Sequence, residues 1–115
     1  MDKLLHVQVA EALGWTEVQG KDHIGWYGRS PERQYGLDGH GISPLPHFDT
    51  DWSATGPLIE RYRLELCGPS RIAPKLWSAA YESLDYPPYQ AYVEAEAPLI
   101  AICHLILALH AAGKL

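Results

Sequence analysis

One segment near the end of the chain restricts the fold more than any other. From Ala97 to Leu109 it reads Ala-Pro-Leu-Ile-Ala-Ile-Cys-His-Leu-Ile-Leu-Ala-Leu, thirteen residues in which only His104 is strongly polar. Pro98 suits a first helical position, where its missing amide proton costs nothing. Leu99, Ile102, Cys103, Ile106 and Leu109 make one stripe, while Ile100, Leu105 and Leu107 fill most of the remaining circumference. A helix apolar nearly all round is buried on more than one side. The rest of the chain must wrap it. At thirteen residues the segment is too short for a bilayer span, which takes roughly 20, so no membrane role is expected.

The residues from Tyr62 to Ala95 supply part of the wrapping. Tyr62–Cys67 alternates at period two and ends at Gly68-Pro69-Ser70. Lys75–Glu82 reads as a second strand, with Trp77, Ala79 and Tyr81 on one face and Leu76, Ser78 and Ala80 on the other. Asp85–Pro88 makes a turn, and Tyr89–Ala95 forms a third strand, Ala91, Val93 and Ala95 facing one way and Gln90, Tyr92 and Glu94 the other. Hairpin connections make this sheet antiparallel.

Two further helices are expected. One opens the chain: Asp2 as N-cap, Leu5, Val9, Ala12 and Leu13 as the buried face, and Gly14 as the stop. The other runs from about Asp51 to Arg63, with Thr50 as its hydroxyl cap, Asp51 in its positive first turn, and Trp52, Thr55, Ile59 and Tyr62 buried. Pro57 is expected to kink it or shift its start. Between these helices, residues 20–46 hold six of the ten glycines together with Pro31, Pro44 and Pro46. This stretch reads as a loop-rich insertion in which only His23–Tyr27 resembles a strand, the short Trp15–Gln19 run lying just before it. One domain covers the chain. The class is α+β, a three-layer α-β-α sandwich with a small, mainly antiparallel sheet and a buried C-terminal helix.

Three motifs carry a resemblance. Val9–Trp15 closes a helix on Gly14-Trp15. Pro46-His47-Phe48-Asp49-Thr50-Asp51 leads into an amphipathic helix. Ala97-Pro98-Leu99-Ile100-Ala101-Ile102-Cys103 opens the last helix. In this order and at this length they resemble the phage ABA sandwich domain family of small phage-encoded proteins, with Asp49 where that family has Ser and Glu96 where it has Thr. The resemblance implies an α-β-α sandwich and a phage origin. It implies no reaction, and no catalytic residue is carried over.

Composition narrows function by exclusion. Nine Lys and Arg stand against fourteen Asp and Glu, a net charge of −5. DNA and RNA binding, which draws on a basic surplus, is not expected. Met1–His6 lacks the pattern of a secretory leader, so the expected setting is the cytoplasm of an infected bacterial host. Cys67 and Cys103 have no zinc spacing and read as reduced, largely buried thiols. Cys103 and His104 are adjacent on a helix and point about 100° apart, which prevents a nucleophile–base pair between them. The Gly36–Gly41 run lacks the Lys-Ser/Thr ending of a P-loop.

Two constellations remain. His47, Asp49 and Asp51 alternate, the weak candidates for a metal site. The preferred reading is capping, with Asp51 serving the helix start and Asp49 or Thr50 capping it, so neither metal nor cofactor is expected. The second set is Trp26, Tyr27, Arg29, Arg33, Tyr35, Arg61 and Arg63. Arg recognises phosphate bidentately and aromatic rings stack on bases, so these residues suit a nucleotide-like small ligand. The expectation is a phage accessory protein that binds rather than catalyses. It would sequester a nucleotide-like host defence signal or, alternatively, engage a host protein as an inhibitory module. Self-association, as a homodimer or higher, is expected from the excess apolar surface of the last helix.

Overall fold

A computed structural model of the chain describes residues 4–21, 25–31, 42–72, 74–83 and 88–115. In chain order the elements are α1 (Leu5–Ala12), β1 (Thr16–Lys21), β2 (Gly25–Arg29), β3 (Ile42–Pro44), α2 (Trp52–Arg61), β4 (Glu65–Cys67), β5 (Trp77–Ser83), β6 (Tyr89–Ala95) and α3 (Pro98–Ala111). The strands make two antiparallel three-stranded sheets, ordered β1-β2-β3 and β4-β5-β6. Three helices and two small sheets packed together give an α+β three-layer sandwich.

The apolar closing segment is α3, with Pro98 in its first turn. Leu99, Ala101, Ile102, Cys103, Leu105, Ile106 and Leu109 are buried. They are covered from several sides, because α3 packs on β5 and β6 and also against α1 and α2. Its apolar circumference is therefore covered largely within one chain. His104 is the exposed gap in the surface.

The β4–β6 sheet follows from its alternation. Leu66 and Val93 flank Ala79 in register, and Trp77 pairs with Ala95 and Tyr81 with Ala91. These residues share one face and pack on the core. The opposite face carries Glu65, Cys67, Glu82, Gln90, Tyr92 and Glu94, all exposed. Cys67 is thus a surface thiol, against the expectation of two buried ones, because it falls on the solvent side of its strand; Cys103 is buried.

The region expected to be mostly loop holds the other sheet. β1 and β2 fall close to the Trp15–Gln19 and His23–Tyr27 runs, whereas β3, a short strand ending at Pro44, had no periodicity to show it; the three pair through main-chain bonds that need no alternation. β1 is irregular: its register slips between Thr16 and Gln19, and Glu17 has φ 54°. Trp26 lies across from Gly20, its ring 3.0–3.2 Å from where a Cβ would stand. It fills the space a side chain would take, which gives Trp26 a structural role. Residues 32–41, with Arg33, Tyr35 and the Gly36–Gly41 run, lie outside the described residues, as do Asp2, His23 and Asp85–Pro87.

All three helices end in the same way. At the end of α1, Gly14 (φ 103°) donates to the Glu11 carbonyl at 3.1 Å and Trp15 to Ala10 at 3.0 Å. After α3, Gly113 (φ 73°) donates to His110 at 3.0 Å and Lys114 to Leu109 at 2.8 Å. After α2, Arg63 donates to Glu60 at 3.3 Å and Leu64 to Ile59 at 2.9 Å. These are Schellman stops. The third places a non-glycine residue, Arg63, at φ 54°.

The helix starts differ from expectation. The cap of α1 falls at Leu4 and has no side-chain bond, and the buried face is His6, Val7, Val9 and Ala10. α2 is capped by Asp51, not Thr50: the Ser53 amide (2.9 Å) and the Ser53 hydroxyl (2.6 Å) both donate to Asp51 Oδ1. α2 runs through Pro57 without a break. Thr55 and Leu58 are its buried residues, while Trp52 in the first turn is 50% exposed.

Candidate functional site

Two polar groupings emerge, one sheltered and one open. The sheltered one begins in the segment before α2. Leu45 and Phe48 are buried and anchor it. The Leu45 amide donates to the Trp26 carbonyl at 3.0 Å, and the buried Thr55 hydroxyl donates to the Phe48 carbonyl at 2.6 Å. The Thr50 and Asp51 amides both donate to the His47 carbonyl, at 3.0 and 2.8 Å. The backbone at positions 47–51 is thereby held in a turn, with His47 and Asp49 carried beside α1. His6, on the buried face of α1 and only 7% exposed, meets them. The His6 and His47 ring centroids are 4.7 Å apart with planes tilted by 39°. One ligand-capable atom each from His6, His47 and Asp49 lies within 4.8 Å of the other two.

The electrostatics match the crowding. Burial, and then the neighbouring His47, hold the His6 pKa below its ordinary value, while Asp49 pulls the other way. Burial pushes the Cys103 thiol up to about 12, with the Asp49 carboxylate adding to the effect. A thiol so placed stays protonated and packs. Asp49 Oδ1 is buried and has no hydrogen-bond partner. Asp51 stands apart from the cluster. The hydrogen bonds from the Ser53 side chain and backbone hold its carboxyl below the usual range, as befits a helix cap.

The open grouping lies where α2 and α3 end beside β5. A groove of about 390 Å³ is lined there by Arg61, Tyr62, Arg63, Tyr81, Glu82, Ser83, Leu109 and Lys114. The Arg61 guanidinium stands 5.6 Å from the centroid of the Tyr62 ring, and the Lys114 ammonium 5.3 Å from that of Tyr89. Arg61 closes the last turn of α2, where a cation complements the helix dipole. The left-handed stop at Arg63 turns the chain back toward β4, so both Arg side chains line one groove.

Of the residues picked out as ligand-binding in the sequence, Arg61 and Arg63 come together. Trp26, Tyr27 and Arg29 sit on β2, in the other sheet, and Trp26 and Tyr27 are half-buried there. Arg29 pairs with Glu17 at 2.6 Å. Arg33 and Tyr35 are outside the described residues. Of the weak metal candidates, His47 and Asp49 come together and Asp51 does not. Sequence reasoning missed His6, Tyr62, Tyr81 and Lys114. For His6 and Lys114 no local signal exists, because each reaches its neighbours through tertiary packing of distant segments.

The described residues contain no helix long and apolar enough to cross a membrane. No curated protein matches the chain. The model of a phage protein family described as Bacteriophage P22, NinX matches residues 1–110. The chain belongs to this family, which agrees with the phage kinship implied by the three sequence motifs.

Proposed function

We propose that this member of the NinX family is a phage accessory protein that acts by binding rather than by catalysis, in the cytoplasm of the infected host. Its ligand is a small anionic, nucleotide-like molecule, held in the groove at the ends of α2 and α3. The observation that carries this reading is the convergence of Arg61, Arg63 and Lys114 on one groove in a chain of net charge −5. Two or three placed cations suffice for a phosphate-bearing ligand, while the acidic remainder repels the continuous backbone of DNA or RNA. Tyr62 and Tyr81 offer flat apolar surface beside the cations, of the kind on which a base stacks. Kinship with the phage ABA sandwich proteins is part of the same proposal and rests on the three motifs and the layered α+β fold.

The test is thermal shift of the full chain against a panel of nucleotides and cyclic nucleotides. At least one member raises Tm, and Arg61→Gln and Lys114→Gln each weaken that response at least tenfold. No shift with any member overturns the reading. A second reading, a module that engages a host protein, draws on the open face of the β4–β6 sheet. Glu65, Glu82 and Glu94 lie there with Tyr92, which is 62% exposed, and with a shallow depression of about 420 Å³ lined in part by Glu65, Glu82 and Tyr92. Such a face fits a basic partner. Host-protein capture abolished by neutralising those glutamates, and untouched by the groove variants, would favour it.

A further inference from the structure

The His6–His47–Asp49 cluster is separate from the cationic groove and independent of the reading given to it. We propose that it is a binding site for a first-row transition-metal dication of the zinc class, ligated by two imidazole nitrogens and one carboxylate oxygen. The donor set selects the metal. Imidazole suits zinc and its neighbours, whereas magnesium and calcium take oxygen ligands. Three protein ligands leave a coordination position open, the pattern of sites that bind water or an exogenous group.

Geometry supports the assignment. Tetrahedral ligation at about 2.1 Å separates ligand atoms by about 3.4 Å. The three atoms here lie within 4.8 Å of one another, so side-chain torsions must close the set by up to about 1.4 Å. His47 is exposed and has room to move. The backbone beneath it is fixed by the paired amides on the His47 carbonyl and by the Thr55–Phe48 bond. Such outer contacts orient metal ligands.

A second observation points the same way. Asp49 Oδ1 is buried without a hydrogen-bond partner. A carboxylate oxygen removed from water and left unpaired is costly, and a bound cation would satisfy it. The alternation of His47, Asp49 and Asp51 in the sequence suggested a different trio. In the fold Asp51 is committed to Ser53, and His6 takes the third place.

The experiment uses the full chain without a polyhistidine tag, stripped with EDTA and titrated with zinc by thermal shift and with cobalt(II) by visible absorption. Zinc should raise Tm, and cobalt should develop ligand-field bands of tetrahedral or five-coordinate intensity. His47→Gln, an exposed change, and Asp49→Asn should each weaken binding at least tenfold. Asp51→Asn, which keeps an N-cap, should bind as the parent does. Magnesium and calcium at equal concentration should leave Tm unmoved. The proposal is overturned if the folded parent shows neither a zinc shift nor a cobalt band. It is also overturned if His47→Gln binds as well as the parent, or if magnesium or calcium matches zinc.

Discussion

The two sheets have the same size and the same antiparallel order, yet they are built on different principles. In β4–β6 the register runs unbroken from Trp77 opposite Ala95 to Ser83 opposite Tyr89, and one face rests on α3. In β1–β3 the register slips within β1, Glu17 adopts a left-handed backbone, and the strands approach one another at glycines. The Gly28 position has Val18 and Leu45 side-chain atoms at 3.1 and 3.2 Å and the Thr16 carbonyl at 3.3 Å from a notional Cβ. The first sheet depends on a shared apolar face. The second depends on individual positions where a side chain would press on its neighbours and make them give way. A face tolerates exchange of similar residues, and a close approach does not.

The largest effect is expected from the helix beneath the first sheet. Ile102 is fully buried in α3, and Ile102→Ala should lower unfolding free energy by about 2–5 kcal/mol, measured by urea denaturation. A loss below about 1 kcal/mol would break the claim that the β4–β6 sheet is held by its buried face. Next in size is a paired test of glycine. Gly28→Ala should destabilise by about 1–3 kcal/mol, since a backbone oxygen cannot move aside as a side chain can. Gly68→Ala, beside the first sheet, meets only the Trp77 ring at 3.5 Å or more and should stay within about 0.5 kcal/mol. Equal costs would erase the distinction between the sheets. The smallest effect concerns the clasp between β1 and β2. The Arg29–Glu17 pair is about half exposed, so Arg29→Met should cost less than about 1 kcal/mol, and the difference should fade in 1 M salt. A larger, salt-independent loss would mean that this exposed pair organises the irregular strand.

The same contrast explains what was legible in the sequence. α3, β5 and β6 carry legible apolar patterns because each is buried on the core side; Pro98 and the Tyr89–Ala95 alternation mark the start of α3 and the whole of β6 to the residue, while β5 starts at Trp77, two residues after the expected Lys75. The start of α2 was misread by one position because Thr50 and Asp51 are both good caps; the Ser53 amide and hydroxyl go to the Asp51 carboxylate. Trp52 falls in the first turn of α2, away from the Thr55–Leu58 face, and so reaches solvent. α1 is only eight residues long, and packing near α3 and β1 brought His6 inside where a single helical stripe pointed to Leu5. The two polar groupings were half visible. His47 with Asp49, and Arg61 with Arg63, are neighbours in sequence and could be seen as pairs. Their third members, His6 and Lys114, lie far along the chain and join them only when helices pack.

The left-handed stop at Arg63 has a consequence for anyone who would improve this protein. Glycine performs the same turn at the ends of α1 and α3, and a side chain in that conformation costs about 1 kcal/mol. A laboratory screen for heat resistance alone would favour glycine at position 63. The winners would be hardier and would have lost one of the three cations of the groove, so robustness and the proposed ligand recognition are set against each other at a single backbone dihedral.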